Sequence, residues 1–597
     1  MATESKSWLP RFNKKSLGFS SYVYYDQYNP GNVRCTHGRQ SLVDLDYSPL
    51  KRITGASFYM ALMVSMGGFI FGYDTGQISG LLEMPDFKRR FAQRRDNGEL
   101  YFSNVRSGLI VALLSIGTLI GALTGGPLSD KLGRRLSISF WCGIFCIGNI
   151  VQVAATDKWY QVMMGRFVMG LGVGGLSLLV PMFMAESGPR HIRGALISCY
   201  QLFITFGIFM AAYVCINYGV HEHQIHSAAS WRITMGVGFI WAVILGVGIL
   251  SFDETPRYNY RHGKIDQAKT FLQRVYGAPA NHYVLYVELE EIEQKLRAES
   301  AQLGVFQEWA AMVRAPKMVY RVALGMGLQM LQQLTGANYF FYYGTVVFKG
   351  TGINNSFVTQ MILNGINFGT TFYGLYIVEH YGRRKSLIVG SAWMFIMFLI
   401  FASVGHFSLD RNDPQNTESA ATAMIVMASF FIFGFATTWG PMIWTICGEL
   451  YPGRYRAKGM ALSTASNWLW NFLLAFFTPF ITGAIDFRYG YVFAGCNILG
   501  GIVVYFFVME GQGRTLEEID TMYLSGVMPW NSAKWEAPPP EEISRIRKEA
   551  GVEPTDVAEN GVAAGARASD ETGEITTEKA DDSNGANEVA VHIKTGH

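Results

Sequence analysis

Gly126-Pro-Leu-Ser-Asp-Lys-Leu-Gly-Arg-Arg135 joins two long apolar runs, and it recurs in worn form at Gly374-Leu-Tyr-Ile-Val-Glu-His-Tyr-Gly-Arg-Arg384. In both copies an acid, Asp130 or Glu379, precedes Gly-Arg-Arg at the same spacing. Both copies link segments long and apolar enough to cross a bilayer. A repeated loop implies a repeated half. The chain therefore reads as two similar helical bundles with the work done at the seam between them.

Composition points the same way. Half of the 597 residues are hydrophobic and only 16% are charged, against about 25% for a typical soluble domain. The charges are segregated into short loops dense in Arg and Lys, which is the pattern of a polytopic membrane protein. The length accommodates about twelve spans of ~20 residues plus tails. The seven cysteines show neither metal spacing nor a disulfide framework and read as small packing residues. Lys6, Arg11, Lys14 and Lys15 are followed by no apolar core, so the first span itself is expected to direct insertion.

The expected architecture is an all-α integral membrane fold of twelve transmembrane helices in two pseudo-symmetric six-helix bundles. Residues 1–54 form an N-terminal tail, 55–252 the first bundle, 253–318 a linker with short amphipathic helices, and 319–510 the second bundle. Residues 511–597 form a second tail, acidic and disordered at its end. Twelve spans place most basic loops, the linker and both tails on one side, which the positive-inside tendency makes cytoplasmic. The loop carrying Lys88-Arg89-Arg90 and Arg94-Arg95 falls on the other side and is outvoted. Asn354-Asn-Ser, on that outer side, is a glycosylation sequon. His221, His223 and His226 read as a solvated outer loop rather than a metal site.

An ionisable group at mid-membrane costs roughly 2.5–3.5 kcal/mol on insertion scales, so each one needs a reason. Asp74 in the first span and Arg166 in the fourth are two such groups. If they pair, protonation of Asp74 would release Arg166 and link binding to a proton gradient; alternatively the pair only neutralises itself and fixes helix packing. Amides form the second set. Gln329, Gln332 and Gln333 share one helix face, and Gly336 permits a break that re-aims Asn338. Gln360, Asn364 and Asn367 share another face, as do Asn467 and Asn471, and Gln201 and Thr205. These uncharged donor–acceptors suit a neutral polyhydroxylated ligand, and Trp439, Trp444 and Trp468 offer flat faces for a sugar ring. Glu186 precedes Arg193 by the interval that separates Glu449 from Arg456. With Asp130, Arg134, Arg135, Glu379, Arg383 and Arg384 they are expected to build ion pairs that hold the bundles together at the inner face.

These motifs, in order from Gly67 to Glu518, resemble those of the sugar porter family of the major facilitator superfamily. They include Gly67–Gly76, Gly126–Arg135, Gly165-Arg166, Pro181-Met-Phe-Met-Ala-Glu186, Glu254-Thr-Pro-Arg257, Gln332-Gln333-Leu-Thr-Gly-Ala-Asn338 and Gly513-Arg-Thr-Leu-Glu-Glu518. Gly72-Tyr-Asp-Thr-Gly-Gln-Ile-Ser-Gly80 and the tail lengths look most like fungal hexose transporters and the related glucose sensors. The resemblance implies a sugar site built from Gln332, Gln333, Asn338, Asn367, Trp444 and Asn467, with Gln201 from the first half. It permits proton coupling through Asp74 without requiring it. The chain departs from the family pattern at Asp253-Glu-Thr-Pro-Arg257, Met509-Glu-Gly-Gln-Gly513, Glu379 and Ala436.

The expected function is transport of glucose and similar hexoses by alternating access in the plasma membrane, as a symporter or a facilitator. A glucose sensor and a porter for polyols or quinate-like acids are the rival readings. No nucleophile–base constellation, phosphate loop or metal spacing points to an enzyme or to a cofactor. The partners expected are the sugar, the bilayer and, if coupled, protons; nothing points to nucleic acid.

Overall fold

The structure is a computed structural model. It describes residues 22–23, 46, 48, 50–51 and 53–546, apart from 97, 190–191, 220–226, 301–304, 351–354, 411–416, 453–454, 513, 515, 540–541 and 543–544. Asn354 and the three loop histidines lie outside the described residues.

Among the described residues, nine helical stretches are long and apolar enough to cross a membrane. The first six are Gly55–Glu83, Asn104–Leu132, Arg134–Val153, Trp159–Ser187, Arg193–Gly219 and Ala229–Gly248. The ninth span is Arg383–Ser403, and the tenth runs from Glu418 to Leu450. The stretch Lys458–Phe507 holds two helices, Arg456–Ile485 and Tyr489–Phe507. The seventh and eighth spans are shorter or more polar than the others. The seventh is broken into Met318–Leu334 and Ala337–Lys349, each shorter than a bilayer requires. The eighth, Ser356–His380, is made polar by its amides. Among the described residues this count is consistent with the expected twelve.

Glycine sets how closely the helices pack. A Cβ on Gly121 would lie 2.1 Å from the Leu171 carbonyl oxygen, and one on Gly174 would lie 2.1 Å from that of Thr118. The second and fourth spans thus meet backbone to backbone, the small-residue contact that helices use where lipid supplies no hydrophobic drive between them. A Cβ on Gly72 would come within 1.9 Å of the Ile204 carbonyl, locking the first span onto the fifth in the same way.

The halves repeat their packing. First against fifth, second against fourth and third against sixth are matched by seventh against eleventh, eighth against tenth and ninth against twelfth. Between halves the second span packs on the eleventh, the fifth on the eighth and the first on the seventh. The linker forms short helices at Pro256–Arg261, Ile265–Tyr276, Tyr283–Ser300 and Val305–Arg314. Thr54 caps the first span, accepting from the Ser57 N–H, and also donates to the Val275 carbonyl of the linker at 2.7 Å. The second tail begins as packed structure: helix Leu516–Leu524 returns to the second bundle, where Asp520 pairs with buried Arg321 at 2.7 Å.

Candidate functional site

Gly336, at φ 94°, ends the first piece of the seventh span and lets the helix restart at Ala337. Only a glycine adopts this backbone without strain, and a Cβ there would also strike the Phe398 and Phe493 rings at 2.8 Å. The break sets Asn338 beside Gln333, to whose Oε1 it donates. Gln333 Nε2 donates to Asn467 Oδ1 at 2.9 Å, and Asn467 Nδ2 donates to Gln329 Oε1 at 2.7 Å and Gln332 Oε1 at 2.9 Å. Gln332 Nε2 in turn reaches the carbonyls of Trp439 and Gly440 at 2.9 and 3.0 Å. Those carbonyls lie at the end of a π-helical turn, Phe435–Trp439, in the tenth span, an irregularity that frees backbone acceptors and often marks functional sites.

The amides of the seventh and eleventh spans therefore form one connected network. Gln201, Asn367 and Trp444 differ: among the described residues their side chains make no hydrogen bond. They come from the fifth, eighth and tenth spans and belong to both halves. Trp439 does not serve as a sugar platform. It is 1% exposed, with its indole N–H bonded to Ser391 Oγ at 2.8 Å. Trp468 packs across the seam on Phe71, ring centroids 5.5 Å apart.

Asp74 and Arg166 meet. Arg166 Nη1 lies 3.3 Å from Asp74 Oδ1, and both residues are buried. Gln77, one helical turn along, donates to the same Oδ1 at 2.9 Å. Asp74 Oδ2 and the Arg166 Nε and Nη2 atoms have no hydrogen-bond partner among the described residues. The pair thus makes one long contact where a guanidinium and a carboxylate can make two.

On the face that carries the linker, the charged residues pair differently from the expectation. Arg134 contacts Asp130 at 3.2 Å and Glu186 at 3.1 Å, all within the first half. Arg383 contacts Glu449 at 3.0 Å, within the second. Arg193 turns to Glu288 of the linker at 3.7 Å. Arg135 donates to the Phe252 carbonyl and Arg384 to that of Tyr505. Arg456 makes no ion pair among the described residues, and the side chain of Glu379 lies outside them. These pairs tie helices of one bundle together in this conformation; they do not bridge the bundles. The physical reason is reach, because Asp130, Glu186 and Glu449 each sit on a neighbouring helix of the same half, and Glu288 sits on the linker.

The contacts that do cross between halves run from mid-membrane to the opposite face. Ser115 donates to Asn471 Oδ1 at 2.7 Å, and Asn364 donates to the Ile208 carbonyl at 3.3 Å. Ser79 and Thr345 hydroxyls meet at 2.9 Å, and Lys349 Nζ lies 2.7 Å from Glu83 Oε2. Tyr342 and Tyr343 are buried behind them, bonded to Asn471 and to the Ala475 carbonyl.

Two residues of consequence were legible as motif members but were given no role by the sequence. Glu254 Oε1 accepts the Arg134 N–H, and Glu510 Oε1 accepts the Arg383 N–H. Each carboxylate caps the N-terminus of the helix that follows Gly-Arg-Arg, where the helix dipole favours negative charge. The signal was present, since both glutamates follow the last helix of their half, but only spatial proximity reveals the partner.

Twelve spanning helices in matched bundles, with polar side chains gathered at their seam, define a membrane transporter of the major facilitator type. The family model "Sugar (and other) transporter" matches residues 60–523, and the chain belongs to that family. It is 44% identical over 479 residues to the high-affinity fructose transporter ght6 of Schizosaccharomyces pombe, covering 80% of this chain and 89% of that one. It is 43% identical over 520 residues to a low-affinity glucose transporter of Kluyveromyces lactis, covering 85% and 90%. Among solved structures, the inward open conformation of the xylose transporter XylE from E. coli superposes with a TM-score of 0.63 at 24% identity, covering 78% of this chain and 99% of that one.

Proposed function

We propose that this protein carries hexoses across the plasma membrane by alternating access, with the linker and both termini in the cytoplasm. The observation that carries the reading is the set of unbonded side chains at the seam. Gln201, Asn367 and Trp444 offer two amides and an indole from both halves that make no hydrogen bond among the described residues, and the amides of the seventh and eleventh spans are already organised around Gln333. A hexose presents hydroxyls that donate and accept, which amides match without added charge. Gln332, Gln333, Asn338 and Asn467 complete the site, and relatives named for glucose and fructose transport support this substrate class. Binding that differs between the two states drives the cycle; no covalent chemistry is required. The ion pairs of Arg134 with Glu186 and Arg383 with Glu449 stiffen each bundle's inner end, so that the bundles move as units.

The Asp74–Arg166 pair is the coupling element in this reading. Its single long contact leaves Arg166 easily freed when Asp74 takes a proton. Gln77 favours a second reading, facilitated diffusion, because its donated hydrogen bond stabilises the charged carboxylate. Uptake of labelled glucose and fructose in cells without their own hexose carriers separates the two. A symporter accumulates sugar, loses accumulation with a protonophore, and only equilibrates sugar as Asp74→Asn. A facilitator equilibrates sugar and ignores the protonophore. Absence of uptake with the protein at the surface would overturn the transport reading in favour of a sensor or another substrate.

A further inference from the structure

On the face away from the linker, Ser79 and Glu83 lie one turn apart on the first span, and Thr345 and Lys349 lie one turn apart on the seventh. The two turns face each other as a ladder of two rungs. Ser79 and Thr345 form the buried rung, with the Thr345 N–H also donating to Ser79 Oγ at 2.9 Å. Glu83 and Lys349 form the outer one. Glu83 has a second cation: Lys88 Nζ lies 2.8 Å from its other oxygen, Oε1. Lys88 belongs to the same half as Glu83. Its short helix, Pro85–Phe91, is anchored by Phe87 and Phe91 against Trp231 of the sixth span and by Asp86, which accepts from the Trp231 indole at 3.1 Å.

We infer that Glu83 and Lys349 form a releasable latch that holds the outer ends of the halves closed, and that Lys88 is the partner Glu83 keeps when the latch opens. The Glu83 side chain is 7% exposed and that of Lys349 is 59%. Breaking a lone pair of this kind would strand a poorly hydrated carboxylate, a large penalty that would make closure hard to reverse. Lys88 removes that penalty because it travels with Glu83. Only Lys349, already half in water, changes partner. The basic character of this outer loop, which runs against the positive-inside tendency, then has a use: its lysine, Lys88, balances a gate acid.

The latch rests on the carrier reading and orientation above, and its test separates the two. Phe476 of the eleventh span is only partly exposed, and Gly108 of the second span passes against its carbonyl; a cysteine placed there should become more accessible when the outer face opens. The rate of its labelling by a membrane-impermeant thiol reagent, against the same chain without that cysteine, reports the opening. A partly exposed pair of this strength corresponds to roughly a two- to fivefold change in population. Lys349→Met and Glu83→Gln should each raise labelling by about that factor, and the double variant should exceed neither single one. Lys88→Met, which cuts no contact between halves, should leave labelling unchanged or lower it. Unchanged labelling in Lys349→Met, or an equal rise in Lys88→Met, overturns the latch; because Lys349 is exposed, loss of folding does not confuse the first result. Labelling seen only after permeabilisation would overturn the orientation instead, and the same ratios between variants would still judge the latch.

Discussion

The carboxylate of Glu254 closes on the backbone N–H of Arg134 at 2.9 Å, across a turn made by Gly133 at φ 88°. A Cβ on Gly133 would lie 2.4 Å from Glu254 Oε2. The second half repeats the device: Glu510 on Arg383 at 2.8 Å, with Gly382 at φ 85° and a Cβ there 2.8 Å from Glu510 Oε2. The glycine of each Gly-Arg-Arg is thus required twice, for its backbone angle and for the room it leaves the cap.

Removing a cap should therefore cost stability in either half. Glu254→Ala and Glu510→Ala each lose a charged N-cap, worth about 0.5–2 kcal/mol. Gly133→Ala adds backbone strain of about 1–3 kcal/mol and displaces the same carboxylate. The thermal midpoint of detergent-solubilised protein should fall in all three, and Gly133→Ala with Glu254→Ala should be less than additive. Full additivity would show that the glycine and the glutamate do not share one contact.

Asn471 is the next place to look, because it joins the amide network of the seventh and eleventh spans to the second span across the seam. Its Oδ1 accepts from Ser115 and Tyr342, and its Nδ2 donates to Gln333 Oε1 at 3.3 Å. Asn471→Leu leaves those three groups without this partner, at about 1–3 kcal/mol for each buried group stranded. Sugar KM should rise by on the order of tenfold at unchanged surface expression. An unaltered KM would remove Asn471 from the network's function.

The contact between the second and fourth spans gives a prediction about assembly alone. Gly121→Val must force apart two backbones that leave no room even for a methyl group. Overpacking of this kind costs about 1–3 kcal/mol or more, and surface expression should drop sharply. Gly143→Val, at a third-span position whose Cβ would meet nothing within 4 Å, should express normally.

Asp86 supplies a pH dependence with a definite sign. Burial pushes its carboxyl up, but hydrogen bonds from Arg90, Trp231 and Arg89 together outweigh burial and hold it below its ordinary value of 3.8. A depressed folded value means that ionised Asp86 stabilises the loop between the first two spans above about pH 4. That contribution is lost as pH falls through the folded value. Between pH 5 and 7 the thermal midpoint should not change on this account, whereas Asp86→Asn should lower it throughout that range and flatten the acid limb. A midpoint unaffected by Asp86→Asn at neutral pH would contradict the assignment.

Much of this protein was legible in one dimension. Apolar run length, the segregation of basic residues and the repeat of Gly126–Arg135 at Gly374–Arg384 sufficed for twelve spans in two halves, because bilayer thickness and backbone satisfaction leave helices few alternatives. Helical period was enough to group Gln329, Gln332 and Gln333 on one face and to mark Gly336 as a break. Period says which side chains share a face, not what they meet. Only the tertiary structure decided that Gln332 is occupied by the Trp439 and Gly440 carbonyls, that Trp439 is core, and that the side chains of Gln201, Asn367 and Trp444 make no hydrogen bond among the described residues. It also decided that Arg134 and Arg383 pair within their halves while Glu83 and Lys349, 266 positions apart in the chain, pair between them. A hydrogen bond or ion pair is fixed by distances of a few tenths of an ångström, and those are set by how whole helices cross, which the glycines of the interfaces govern and no local pattern records.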